Sequence, residues 1–192
     1  MTETWIEIQR DNRGDRYGGV RGEPAFWRDF LTRVRRLLDG GGISDEAFGS
    51  LAAHFRGAEA WRVYPDVLPT LERLAESGVA LAVVSNWDSF LPRLLEMQGL
   101  SPFFRTVSVS AIEGTGKPDP EIFRRTCERL AIDAGDALHV GDSLREDFDG
   151  ARAAGLAALL LDRKDQHPGV ADRIRSLSEI PEVLIRSASS VR

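Results

Sequence analysis

Beyond Tyr64-Pro65, short apolar runs alternate with amphipathic stretches, and this alternation constrains the fold more than any other feature of the 192-residue chain. VALAVV (79–84) and LAALLL (156–161) are continuous apolar runs, the pattern of strands covered on both faces of a parallel sheet. TVSVS (106–110) and ALHV (137–140) complete a set of four predicted strands. Between them the spacing predicts helices. One is capped by Asp66, uses Val67, Leu68, Leu71 and Leu74, and stops at Gly78; the next runs over 90–98 to Gly99. Another is capped by Asp119 with Pro120 in its first turn and runs to about Ala131, and a last one covers 145–154. Strands and helices that alternate over short connections imply an α/β fold, with right-handed crossovers and a mostly parallel sheet between flanking helices.

Upstream the rhythm is helical only. Phe26, Trp27, Phe30, Leu31, Val34, Leu37 and Leu38 recur at helical spacing over 23–39, and a second helix is expected after Ser44, carrying Phe48, Leu51, Ala52 and Phe55. The chain therefore divides into a helical lobe (1–63), an α/β core (64–186) and a tail (187–192).

Charge narrows the partners. Lys and Arg number 25 against 30 Asp and Glu, a net charge of −5, so no global basic field attracts nucleic acid. The longest apolar runs are far shorter than the roughly 20 residues that a membrane helix needs. A single cysteine, Cys127, and an N-terminus without a signal-peptide core place the chain in the cytoplasm as an expectation. Cys127 shares an apolar helix face with Phe123 and Leu130 and reads as a packed small hydrophobe. His54, His139 and His167 lack metal-ligand spacing, and none earns a catalytic role from sequence alone.

In open α/β sheets ligands bind beyond the carboxyl ends of the strands. The first run ends in Ser85-Asn86; the second leads into GTGKPDP, where Lys117 is the one long cation; the third ends in GDSLREDFDG. Asp142 and Asp147, five residues apart, can turn toward one point as the hard oxygen ligands that Mg²⁺ takes. A hydroxyl, a lysine and a carboxylate pair at successive strand mouths form a kit for phosphoryl transfer. The hydroxyl and the lysine hold phosphoryl oxygens while a metal neutralises charge from the other side.

With these residues in place, the sequence resembles the haloacid-dehalogenase-like superfamily, in particular its phosphatase-like members with a small helical cap, over about Tyr17 to Asp162. VVSN with Ser85, GKPDP with Lys117, and HVGDSLREDFDGARAAG with Asp142 and Asp147 are similar to that family's second, third and fourth motifs. The resemblance implies a Rossmann-like core in which Ser85, Asn86 and Lys117 bind phosphate and Asp142 with Asp147 holds Mg²⁺. It also implies a partial helical cap over residues 1–63 and a small phosphorylated metabolite as substrate. The family's first motif, an apolar strand ending in Asp-x-Asp that carries the nucleophile, has no counterpart here, because Asp11 and Asp15 follow an expected helix at Trp5, Ile6 and Ile8. In the family that strand lies between the strands that here are 79–84 and 137–140. The expectation is thus a core with a central gap, in an N-terminally truncated and inactive Mg²⁺-dependent phosphomonoester hydrolase. The alternatives are a non-catalytic module that keeps the phosphate and metal pocket for a ligand or a partner chain, and a haloacid dehalogenase.

Overall fold

The computed structural model describes residues 22, 44–55 and 57–189; the predicted helix over 23–39, Trp27, Asp11 and Asp15 lie outside the described residues. Helix α1 (Asp45–Phe55) begins directly after Ser44. Then α2 (Val67–Glu76), β1 (Leu81–Ser85), α3 (Leu91–Met97), β2 (Phe104–Val109) and the one-turn α4 (Ser110–Glu113) follow in order. The second half runs through α5 (Pro120–Leu130), β3 (Leu138–Gly141), a π-helical turn (Leu144–Asp149), α6 (Gly150–Ala153), β4 (Ala157–Leu161), β5 (Arg173–Ile174) and α7 (Ile180–Ser189). Among the described residues no helix is long and apolar enough to cross a membrane.

Every strand pairing is parallel, as expected for this α/β fold. The strands nevertheless form two sheets. β1 pairs with β2, placing Ser85 opposite Val109, and β3-β4-β5 form the other sheet, with Gly141 opposite Leu160. No ladder joins β1 to β3 among the described residues.

Helices on both faces hold the two sheets together. Ile122, Phe123 and Cys127 of α5 cluster with Phe148, Ala151, Ala158 and Leu160, and Val84 of β1 packs against the same cluster. On the opposite face Leu74 of α2 joins Leu159, Ile174 and Ile180, with Leu81 of β1 and Leu138 and Val140 of β3 packed against them. Burying such side chains contributes roughly 1.5–3 kcal/mol each. Cys127 is packed as expected, and burial pushes its thiol pKa up. Trp61 and Trp87 meet edge-to-face at 4.9 Å in a third cluster around Leu91, Leu94 and Val109.

Three local expectations need correction. The first strand starts at Leu81 instead of Val79, because the Val79 N–H bonds the Leu74 carbonyl (3.0 Å) and the Gly78 N–H the Ala75 carbonyl (2.9 Å). This Schellman closure ties Val79 back onto the last turn of α2, three residues beyond its end at Glu76. Asp66 does not cap α2 through its side chain. Its carboxylate instead takes a bidentate pair from Arg163 (2.9 and 3.1 Å), the Ser176 hydroxyl and the Leu177 N–H (2.8 Å each), a charge-assisted set that outcompetes one neutral cap bond. The helix expected over 145–154 splits at Gly150. The Phe148 N–H reaches back five residues to the Ser143 carbonyl (3.1 Å), widening the first part into the π turn.

Candidate functional site

The carboxyl ends of β1, β2 and β3 deliver three loops to one place. β1 ends on Ser85, which is half-buried. Asn86 follows and reaches across to the loop after α4: its Nδ2 donates to the Lys117 carbonyl and its Oδ1 accepts from the Lys117 N–H, both at 2.7 Å. Two bonds from one carboxamide fix the backbone on either side of the lysine. The Lys117–Pro118 peptide inside this loop is cis. Asn86 Nδ2 also donates to Glu146 Oε2 at 3.1 Å, so the same side chain joins all three loops.

Lys117 Nζ then lies 2.5 Å from Asp147 Oδ1, in an ion pair whose side chains are 11% and 4% exposed. Asp147 is held on every side. His139 Nε2 lies 2.9 Å from the same oxygen, and the Ser143 N–H donates to Oδ2 at 3.0 Å. Burial pushes the Asp147 carboxyl up, but the His139 hydrogen bond and the Lys117 ammonium outweigh that and hold it well below the ordinary carboxylate range. It is therefore ionised at neutral pH.

Two glycines make this packing possible. A Cβ at Gly141, the last residue of β3, would overlap the Asp147 carboxylate. At Gly150 a Cβ would come within 2.9 Å of the Pro118 Cα, so the turn after β3 seats directly on the lysine loop. The π turn aims Asp147 back over Gly141, and Ser143 Oγ caps it by accepting from the Glu146 N–H (3.1 Å).

Of the residues that the sequence singles out, the structure joins Asn86, Lys117 and Asp147 into one network. Ser85 and Asp142 flank it at the ends of β1 and β3 without a side-chain partner among the described residues, and Asp142 is exposed. Sequence reasoning did not single out Glu146 and left His139 without a role. His139 carries no local signal, because only the turn that folds Asp147 back onto β3 brings the two together. For Glu146, the acidic run around Asp147 was visible, but which carboxylate faces Asn86 was not.

Asp142 fits a hard divalent cation, since it is an exposed carboxylate at a strand mouth with no side-chain partner among the described residues, and Mg²⁺ is commonly held by one or two carboxylates plus waters and phosphate oxygens. Asp147, with both oxygens engaged, fits as the support that holds Lys117 in place. No group of three or more His, Cys, Asp or Glu among the described residues forms a metal cage of its own.

Loops at the strand mouths of this parallel α/β core clamp one lysine against one buried aspartate. The haloacid dehalogenase-like hydrolase family model matches residues 6–155, and the chain belongs to that family. It is 34% identical over 176 residues to haloacid dehalogenase-like hydrolase domain-containing protein 3 of Danio rerio, covering 86% of this chain and 72% of that protein. It is 31% identical to a phosphoserine phosphatase of Thermus thermophilus, over 88% of this chain and 70% of the relative. Among solved structures, a HAD phosphatase from Thermococcus onnurineus superposes with a TM-score of 0.71 at 30% identity, over 95% of this chain and 78% of the other.

Proposed function

We propose that residues 1–192 carry the phosphate-binding and metal-holding part of a Mg²⁺-dependent phosphomonoester hydrolase site for a small phosphorylated metabolite. The observation that carries this reading is the clamp on Lys117, with its backbone pinned by Asn86 and its ammonium by Asp147. An ammonium has three N–H donors, and Asp147 engages one. The other two are then available to phosphoryl oxygens, in an orientation already fixed before the ester binds. Ser85 would donate its hydroxyl to a second phosphoryl oxygen from the end of β1. Asp142 would hold Mg²⁺, which when bound neutralises phosphate charge opposite the lysine. Asp147 keeps the lysine charged and in place.

The reading assigns no nucleophile to the described residues. Turnover by this chemistry needs an aspartate nucleophile in addition to the residues that hold phosphate and metal. A net charge of −5 favours a small ester that the local lysine can hold over a nucleic-acid backbone. The phosphatase names among the relatives support the phosphate chemistry.

Isothermal titration of the full chain with inorganic phosphate in the presence of Mg²⁺ tests the reading. Saturable binding is expected, weakened about tenfold or more by Lys117→Ala, as loss of a charged hydrogen bond implies. Asp142→Ala should remove the Mg²⁺ dependence and leave a weaker metal-free component. Phosphate binding that ignores both substitutions would sink it.

A further inference from the structure

We infer that Glu146 is an affinity-setting residue of the proposed phosphate site, a resident carboxylate that holds the one N–H of Asn86 which a phosphoryl oxygen could otherwise take. The inference rests on the phosphate reading and deepens it. The orientation of Asn86 is fixed by the backbone of Lys117, because a peptide N–H only donates and a peptide carbonyl only accepts. Oδ1 therefore takes the Lys117 N–H, and Nδ2 gives one hydrogen to the Lys117 carbonyl, both at 2.7 Å. A carboxamide nitrogen carries two hydrogens. The second goes to Glu146 Oε2 at 3.1 Å, so Asn86 has no donor left while Glu146 stays in place.

The two Nδ2 bonds are not equally expendable. Loss of the bond to the Lys117 carbonyl would unfasten the loop that carries the lysine, whereas loss of the longer bond to Glu146 leaves both Lys117 backbone groups held. Glu146 can also withdraw without moving the chain. Its N–H donates to Ser143 Oγ (3.1 Å), and the N–H groups of Asp147 and Phe148 both return to the Ser143 carbonyl (3.0 and 3.1 Å), so the backbone of the turn stays fixed while the side chain rotates. Glu146 is half-buried, close enough to the surface for its carboxylate to regain water when it leaves Asn86. Asp147, the next residue, has no such freedom, being buried with both oxygens bonded.

An incoming phosphate and Glu146 therefore compete for the same hydrogen. Asn86 directly follows Ser85, whose hydroxyl the phosphate reading already uses, so the released N–H adds a donor from the neighbouring residue. A phosphate dianion beside a carboxylate gains from its departure, since like charges repel most strongly where water is scarce. The measured affinity is then that of the open site, reduced by the fraction of molecules in which Glu146 has let go. A charge-assisted bond holds more strongly than a neutral one, so a carboxylate at 146 sets a higher threshold than a carboxamide would.

Isothermal titration of the full chain with inorganic phosphate at saturating Mg²⁺ tests the inference. Glu146→Ala should tighten binding about fivefold or more, and Glu146→Gln, which keeps an acceptor of similar reach without the charge, should tighten it less. The ratio of mutant to wild-type affinity should persist in about 1 M NaCl, where the Debye length is about 3 Å and through-space repulsion is screened. The inference is overturned if Glu146→Ala leaves affinity unchanged or weakens it, a loss marking Glu146 as a support of the lysine loop or of the metal. It is equally overturned if the gain disappears in high salt or is as large for Gln as for Ala, because Glu146 then acts by charge alone. Lys117→Ala in the same series keeps the two proposals apart. Binding that Lys117→Ala weakens and Glu146→Ala does not tighten rejects the role of Glu146 alone. Absence of saturable binding, or binding indifferent to Lys117→Ala, rejects the phosphate reading and the role of Glu146 with it.

Discussion

β1 and β4 are nearly the same strand in composition, LAVVS against AALLL, and the molecule treats them differently. β4 lies between β3 and β5 with helices on both faces, and its three central residues are buried. Among the described residues β1 has β2 on one side and a cavity of about 400 Å³ on the other, and none of its five residues is buried. Apolar content says that a strand can be buried on both faces; the number of neighbours in the sheet decides whether it is. The site's loops spring from β1, β2 and β3; β1 and β3 both border the cavity, and β4 beside β3 supplies the firmly packed backing.

The largest expected effect contrasts the two carboxylates of one motif. Asp147→Ala leaves the Lys117 ammonium buried without its counter-charge and should cost about 3–5 kcal/mol, read from urea unfolding. Asp142→Ala, at an exposed position with no side-chain partner among the described residues, should stay within about 0.5 kcal/mol. Similar losses at both would show that the pair is not divided into one structural and one ligand-facing member.

Next comes the same deletion in the two strands. Leu160→Ala in β4, where the side chain is fully buried, should cost about 2–5 kcal/mol through the cavity it opens. Leu81→Ala in β1, already bordering a cavity, should cost at most about half as much. Equal costs would mean that β1 is packed as tightly as β4 in solution, which removes the contrast.

Smaller is the effect of Gly150→Ala. Its methyl group would meet Pro118 and Phe123 at 2.9–3.3 Å, and overpacking of this kind costs about 1–3 kcal/mol. Because Gly150 seats the π turn on the lysine loop, phosphate affinity should fall along with stability. Unchanged affinity would show the two loops to be uncoupled.

The smallest effect is the pH dependence. Burial raises the Asp66 carboxyl, but Arg163, Ser176 and the Leu177 N–H bring it from its ordinary 3.8 down to about 2. A carboxyl lowered in the folded state contributes stability that is present above its ordinary pKa and lost as pH falls through the folded value. Stability should therefore decline between about pH 4 and pH 2, and Asp147 acts in the same direction. Asp66→Asn should flatten that decline without altering amide hydrogen exchange at β1, which sharpens the separation between the packed backing and the strand beside the cavity.

The sequence alone was enough to place four strands and the helices between them, because apolar periodicity and end signals are local. Asp119 capping Pro120–Leu130, with its carboxylate accepting from the Glu121 N–H at 2.9 Å, was legible in just this way. It also supplied Ser85, Asn86, Lys117, Asp142 and Asp147 as candidates, since ligands gather at strand mouths whatever the rest of the chain does. What each of these residues does was decided by partners distant in sequence. Asn86 clamps a lysine 31 positions away, and Asp66 leaves its own helix for Arg163, 97 positions on. His139 acquires a role only when the π turn folds Asp147 back over Gly141. The lack of a ladder between β1 and β3 among the described residues has the same origin: strand pairing is a non-local hydrogen-bond ladder, and an apolar run carries no mark of how many neighbours it will meet.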